Sequence, residues 1–247
     1  MSFENKIAIV TGAGQGIGEA YARGLAARGA RVVVADINAE KGRAVASSIT
    51  AAGGEAHFIA VDVADPASAT SLAEQTVARY GKVDHLVNNA ALFGAMKTES
   101  LLAVDYAYYQ RFMEINMNGC LIVTRAVVPH MNKGSAIVNQ SSTAAWMHIG
   151  YYSVAKYGMN ALTCALAREL GPMGIRINAI APGPTATDAL KSQVPDEYLQ
   201  GMVAQMPLGR LGEPGDHVGA LLFLLSDDAK WVTGHIFNVD GGQLMRG

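Results

Sequence analysis

Two cysteines, Cys120 and Cys164, are all that 247 residues contain. Neither sits in a CxxC pair or in a metal-ligand spacing, so the chain is not organised by a disulfide framework, and no metal is expected. An excess of charge is also missing. The 19 basic residues stand against 21 acidic ones, for a formal net charge of −2. That balance gives no electrostatic footprint for nucleic acid or a membrane surface. No apolar run reaches the ~18 residues of a membrane-spanning helix. The opening MSFENKIAIVTG has no charged region followed by a long apolar one, so no secretory signal is read there and a cytoplasmic home is expected. Repeats, Pro/Ser-rich linkers and shifts of composition are absent too. One large α/β domain over 1–247 is expected.

Half of the residues are hydrophobic, enough for a sizeable core. Short β-branched runs alternate with longer helical patterns. Strands are expected at 6–10, 31–36, 57–63, 85–90, 136–141, 176–182 and 236–242. Helices fill the gaps, the longest over about 101–130 and 151–170. The strands lack polar alternation, which means burial on both faces. With intervening helices, this is a doubly wound (Rossmann) fold around a parallel sheet. Five of the eight prolines fall between Pro182 and Pro214. Residues 183–212 are therefore a candidate lid, with Leu190, Val194, Tyr198 and Met202 spaced along one helical face.

TGAGQGIG (11–18) joins the first strand to the first helix. Its spacing is G-x-x-x-G-x-G, using Gly12, Gly16 and Gly18. Glycines there let the backbone approach a pyrophosphate at a helix N-terminus. Asp36 ends the second strand, where a carboxylate accepts hydrogen bonds from both ribose hydroxyls and repels a 2′-phosphate. The turn offers Gln15 and no Lys or Arg, and neither Ile37 nor Asn38 is basic. These residues favour NAD over NADP.

YYSVAK (151–156) contains two tyrosines and a lysine. On a helix, residues four apart are neighbours, so spacing pairs Lys156 with Tyr152 and not with Tyr151. A phenol of ordinary pKa about 10 is a poor base near neutrality, and an adjacent ammonium pulls that value down.

TGAGQGIG, NNAA (88–91), INMNG (115–119), SS (141–142), YSVAK (152–156), PGPTAT (182–187) and WVTGHIFNVDGG (231–242) occur in this order. Together they resemble the short-chain dehydrogenase/reductase family across essentially the whole chain. The resemblance implies a catalytic set of Asn116, Ser142, Tyr152 and Lys156. Tyr152 would be the general acid/base, assisted by Lys156. Ser142 would orient the substrate oxygen, with Ser141 as the alternative. Asn116 would interrupt its helix and hold a relay water. Gly12, Gln15, Gly16, Ile17, Gly18, Asp36, Ile37, Asp62, Val63, Asn88, Ala90, Pro182, Gly183, Thr185 and Thr187 would bind the cofactor, with Thr187 on the nicotinamide carboxamide. Two departures stand out: Ser142 is only ten residues before Tyr152, and NNAA replaces the usual NNAG.

Leu92, Phe93, Trp146, Met147, Ile149, Tyr151, Leu190, Tyr198 and Met202 suggest a bulky apolar alcohol or ketone, with Leu92, Trp146 and Tyr198 beside Ser142 and Tyr152. The expected reaction is NAD(H)-linked interconversion of a secondary alcohol and a ketone. A 3-oxoacyl reductase using NADPH, a non-catalytic dinucleotide sensor and a Rossmann-like methyltransferase are the alternatives. Asp36 argues against the first, and the intact catalytic set against the other two. The resemblance further implies a homotetramer, with both long helices and the C-terminal GHIFNVDGGQLMRG in contacts between subunits.

Overall fold

Fully buried β-branched runs set the frame. In the computed structural model, which describes residues 2–245, IAIVT forms β1 (Ile7–Thr11) and RVVVAD forms β2 (Arg31–Asp36). β3 (Glu55–Ala60), β4 (Val83–Asn88), β5 (Met131–Gln140), β6 (Arg176–Pro182) and β7 (Ile236–Val239) complete the sheet. Its order is β3-β2-β1-β4-β5-β6-β7, and every pair is parallel. The helices are α1 (Gly16–Ala26), α2 (Ala39–Ala51), α3 (Pro66–Tyr80), α4 (Tyr106–Met113), α5 (Gly119–Val127), α6 (Gly150–Leu170), α7 (Asp188–Gln193), α8 (Asp196–Ala204) and α9 (Val218–Leu225).

Alternation along each strand sorts side chains into two layers. Ala8, Val10, Val32 and Val34 pack with Tyr21 and Leu25 of α1 and with Leu221 and Leu224 of α9. Ile9, Val33 and Ala35 pack on the other face with Leu72 of α3, Val123 of α5 and Leu166 of α6. Burying one such Val, Leu or Ile contributes about 1.5–3 kcal/mol, so both faces are needed to hold the sheet. Strand order reverses between β1 and β4. That leaves a crevice at the carboxyl ends of the strands, the place where doubly wound folds bind ligands.

Local chemistry decides several boundaries. Asp65 caps α3 by accepting from Ala67 N, Pro66 follows, and Gly81 ends the helix in the left-handed conformation. The helix expected from Leu101 starts instead at Tyr106, because Asp105 accepts from the backbone N–H of Tyr108 and caps it there. β3 begins and ends earlier than expected, and β5 extends back to Met131.

The segment after β6 departs most from expectation. Leu190, Val194, Tyr198 and Met202 do not share one helix. Val194 is extended, with φ −124° and ψ 119°, because Pro195 follows it. The break divides the segment into α7 and α8. Among the described residues no helix is long and apolar enough to cross a membrane. Arg246 and Gly247, part of the expected C-terminal contact, lie outside the described residues.

Candidate active site

A cleft of about 900 Å³ runs along the carboxyl ends of the strands. Its floor at one end is the glycine turn. Gly12 and Gly16 have φ +62° and +60°, a region costly for any residue with a Cβ. A Cβ on Gly18 would stand 2.2 Å from Gly12 O, so the turn closes only with glycine. Asn89 braces it, donating from Nδ2 to the carbonyls of Thr11 and Gly12, both at 3.0 Å. The Thr11 hydroxyl accepts from Asn89 N and Ala90 N.

Asp36 lies at the far edge of this turn. Its Oδ2 accepts from Gly14 N and its Oδ1 from Asn38 N, each at 2.8 Å. The carboxylate is therefore held in place, with lone pairs left over. Lys41, from the first turn of α2, also lines this end and donates from Nζ to Gln15 Oε1 at 2.5 Å. The lack of a basic residue near Asp36 holds for its chain neighbours and fails in space. Asp62 and Val63 line the adjoining wall. Arg111 pairs with Asp62 at 2.6 Å. Burial alone would raise the Asp62 carboxyl, but the Arg111 guanidinium and the Ala64 N–H hold it below the usual carboxylate range.

The other end of the cleft is built from β5, α6 and the break between α4 and α5. The α4–α5 helix is interrupted by a π-helical turn over Glu114–Asn118, with Asn116 fully buried inside it. Asn116 Nδ2 donates to Phe112 O, and Asn116 Oδ1 accepts from Leu92 N, both at 3.1 Å. Lys156 is 1% exposed and donates to Gln140 O at 2.7 Å. Its Nζ is 5.8 Å from the Tyr152 ring centroid.

Burial dominates the electrostatics here. It pushes the Tyr152 phenol up to about 12, with the Ser142 hydroxyl pulling the other way. It pushes the Lys156 ammonium down to about 8, with Cys120 opposing. Lys156 thus stands beside Tyr152, and burial is the largest influence on the phenol. Both serines line the cleft, and it is the Ser142 hydroxyl that opposes burial at the Tyr152 phenol. The Ser141 hydroxyl is buried without a hydrogen-bond partner in the protein.

The residues expected from sequence divide clearly. Gly12, Gln15, Gly16, Ile17, Gly18, Asp36, Ile37, Asp62, Val63, Ala90, Pro182, Gly183, Thr185 and Thr187 all line this cleft, as do Ser142, Tyr152, Lys156 and Leu92. Asn88 does not. Its side chain turns inward to Thr124 Oγ1 and Asn139 Oδ1, and Asn89 takes the place at the wall. Trp146 and Tyr198 are also outside the lining, and Tyr198 is 70% exposed. Tyr151 faces the protein, packed edge-on to Phe112 with ring centroids 4.7 Å apart. Gln243, from the turn after β7, lines the cleft and was not legible in the sequence.

The glycine cradle, the fixed Asp36 carboxylate and a cleft at the upper end of ligand-site volumes fit a dinucleotide. Gly16 lies across from Thr187, where a Cβ would come within 3.5 Å of Thr187 Cγ2. A family model described as enoyl-(acyl carrier protein) reductase matches residues 12–243. The chain belongs to the short-chain dehydrogenase/reductase family. This short-chain dehydrogenase/reductase is 56% identical to an uncharacterized oxidoreductase of Mycobacterium tuberculosis, over 99% of each chain. It is 38% identical to the 7alpha-hydroxysteroid dehydrogenase of Escherichia coli, over 98% of this chain and 95% of that one. A solved structure of a 7 alpha-hydroxysteroid dehydrogenase, complexed with NADH and 7-oxo glycochenodeoxycholic acid, superposes with a TM-score of 0.93 at 38% identity, covering 98% of this chain and 95% of that chain. A short chain dehydrogenase from Burkholderia cenocepacia, in complex with NADP, gives 0.91 at 29% identity, with 98% and 99% covered. The protein is an oxidoreductase of this family.

Proposed function

We propose that this oxidoreductase interconverts a secondary alcohol and a ketone with NAD(H), on a substrate that is largely apolar. The observation that carries the reading is the convergence of Ser142, Tyr152 and Lys156 on the cleft that also holds Asp36. Ser142 hydrogen-bonds the substrate oxygen and orients it. Tyr152 takes the hydroxyl proton during oxidation and returns it during reduction. Lys156 stabilises the phenolate while its charge is fixed against Gln140 O. The bound nicotinamide cofactor supplies the hydride acceptor or donor. Asn116 keeps the Leu92 backbone and the π-helical turn in place beside this set. Leu92, Phe93, Met147, Ile149, Leu190 and Met202 exclude water around the reacting carbon.

Asp36 gives the preference for NAD(H), since its carboxylate suits two ribose hydroxyls and repels a phosphate. Lys41 lies close enough to moderate that repulsion, so we expect a preference and not an absolute exclusion. Titration by NADH and NADPH fluorescence tests this. NADH should bind more tightly, and Asp36→Ala should weaken NADH binding more than NADPH binding. Tighter binding of NADPH by the unaltered protein would defeat the cofactor reading.

Exposed apolar side chains support a homotetramer. Val154 and Tyr157 stand out on α6, with Leu101, Leu102 and Tyr106 exposed ahead of and at the start of α4. A monomer by light scattering at micromolar concentration would refute that assembly.

A further inference from the structure

The turn after β7 brings one amide into the cleft. Gln243 N donates to Asp240 O at 3.1 Å. The Asp240 carboxylate accepts from Gly242 N at 3.0 Å and from Leu244 N at 2.9 Å. Asn238 Nδ2 donates to Leu244 O at 3.0 Å. Four hydrogen bonds thus fix the backbone on both sides of Gln243. The side chain then meets Thr143, the residue next to Ser142.

The proton count at Thr143 is informative. Its hydroxyl lies 3.1 Å from Pro182 O and 2.8 Å from Gln243 Oε1. Both partners are acceptors, and a hydroxyl has one proton. Thr143 is 3% exposed, so water does not readily relieve the conflict. Pro182 offers only a carbonyl, whereas a glutamine amide can turn over. With the amide turned, Nε2 donates to Thr143 and Thr143 donates to Pro182 O. The Thr143 proton and the Nε2 proton that meets it then each have an acceptor, and the Gln243 carbonyl oxygen is turned away from Thr143, able to accept from a group in the cleft that Gln243 lines. Met147, Ile149, Leu190 and Met202, whose side chains carry no donor, line the same cleft.

We infer that Gln243 is a specificity residue, and that its amide oxygen accepts a hydrogen bond from a second hydroxyl of the substrate. The substrate class is therefore a mostly apolar diol or hydroxyketone and not a simple mono-alcohol. This rests on the reading of the cleft as a hydride-transfer site. A fixed carbonyl oxygen that the substrate leaves unpaired is costly, so it discriminates more sharply than an apolar contact would.

The test uses the full chain and defined probes. Cyclohexanol is compared with 1,2-, 1,3- and 1,4-cyclohexanediol and with their mono-methyl ethers, as substrates with NAD⁺. At least one diol should exceed cyclohexanol in kcat/KM by roughly tenfold, the scale of one well-placed hydrogen bond. The matching methyl ether, which cannot donate, should lose that advantage. Gln243→Met keeps the length without the amide. It should lower kcat/KM for the preferred diol by roughly tenfold, through KM, and lower that for cyclohexanol much less, with NADH affinity measured alongside to show that the cofactor end is intact. The inference is overturned if no diol is preferred, if the ether does as well as the diol, or if Gln243→Met affects both alcohols alike. Failure of the unaltered protein to bind NADH would instead overturn the hydride-transfer reading itself.

Discussion

The loop 92–98 and the segment 186–211 cover the substrate end of the cleft from opposite sides, and they are held by different means. The loop is nailed to a buried aromatic cluster. Lys97 N donates to Tyr108 Oη at 3.0 Å, the Tyr151 hydroxyl donates to Lys97 O, and the Lys97 ammonium lies 4.7 Å over the Tyr108 ring. Phe112 backs Tyr151. The segment is tied at its ends and rests between them on a few buried side chains, Leu190, Leu199 and Met206, with Leu208 N donating to Gly241 O at 3.1 Å. Ala186 N donates to Gly212 O at 2.8 Å, and Gly212 N donates to Pro184 O at 3.0 Å. Between those ends, α8 buries only Leu199. Ser192 and Gln193 reach across to Gly94 O at 3.1 and 2.8 Å. A segment tied at its neck, with few buried anchors and its two cross-cleft hydrogen bonds ending on one carbonyl, is expected to open more readily than a loop clamped by tyrosines.

Adjacent tyrosines provide the largest expected contrast. Tyr152 faces the cleft and Tyr151 faces the clamp. Tyr152→Phe should lower kcat by about 10²–10⁴-fold, the usual worth of a general acid/base, with NADH affinity preserved. Tyr151→Phe removes one hydrogen bond to the fixed wall. It should raise KM by a factor of roughly ten or less and leave kcat nearly unchanged. Comparable losses of kcat in the two variants would abolish the distinction.

A smaller effect separates the two coverings themselves. Amide hydrogen exchange over 188–204 should slow by about tenfold or more when NADH and a substrate analogue are both present. Residues 92–98 should change little. Equal protection of 188–204 with and without ligand would make that segment a second fixed wall.

The sequence disclosed most where the chemistry is local. Strands buried on both faces declare themselves by composition, so the β1 and β2 runs were legible. The glycine turn, Asp36 and the Tyr152–Lys156 pair were legible because their partners lie within a turn or a strand end. What escaped was brought together by tertiary contact. Lys41 crosses from α2 to Gln15, 26 residues away, and Gln243 meets Thr143 across 100 residues. Asn88 and Asn89 differ only in which way a strand end points, and the pleat sends one inward and its neighbour to the wall. The single lid helix failed for a local reason that could have been weighed: Pro195 forces Val194 out of helical geometry.

The smallest effect concerns the neck of the segment 186–211. His217 is buried beside it, with Nε2 2.9 Å from Thr185 Oγ1 and Nδ1 without a partner. Burial pushes its imidazole down to about 4, against a small upward pull from Asp216. His85 is pushed to about 4 by burial as well, but it lies on β4 against Phe3, far in sequence from the neck. Both are bases with depressed folded values, so the native state holds them neutral. Below the ordinary value of 6.5, the unfolded chain takes up a proton that the native chain refuses. Their stabilising contribution is therefore intact above about pH 6.5 and is lost as pH falls toward 4. Each pH unit in that window costs at most about 1.4 kcal/mol per histidine. His217→Gln keeps a donor for Thr185 but cannot titrate. Urea unfolding between pH 6.5 and 4.5 should show about one proton fewer taken up on unfolding in the variant than in the unaltered protein. The acid-induced rise in exchange over 186–211 should shrink with it, while the His85 contribution persists in both proteins. Identical pH slopes would mean that the neck does not depend on a neutral His217.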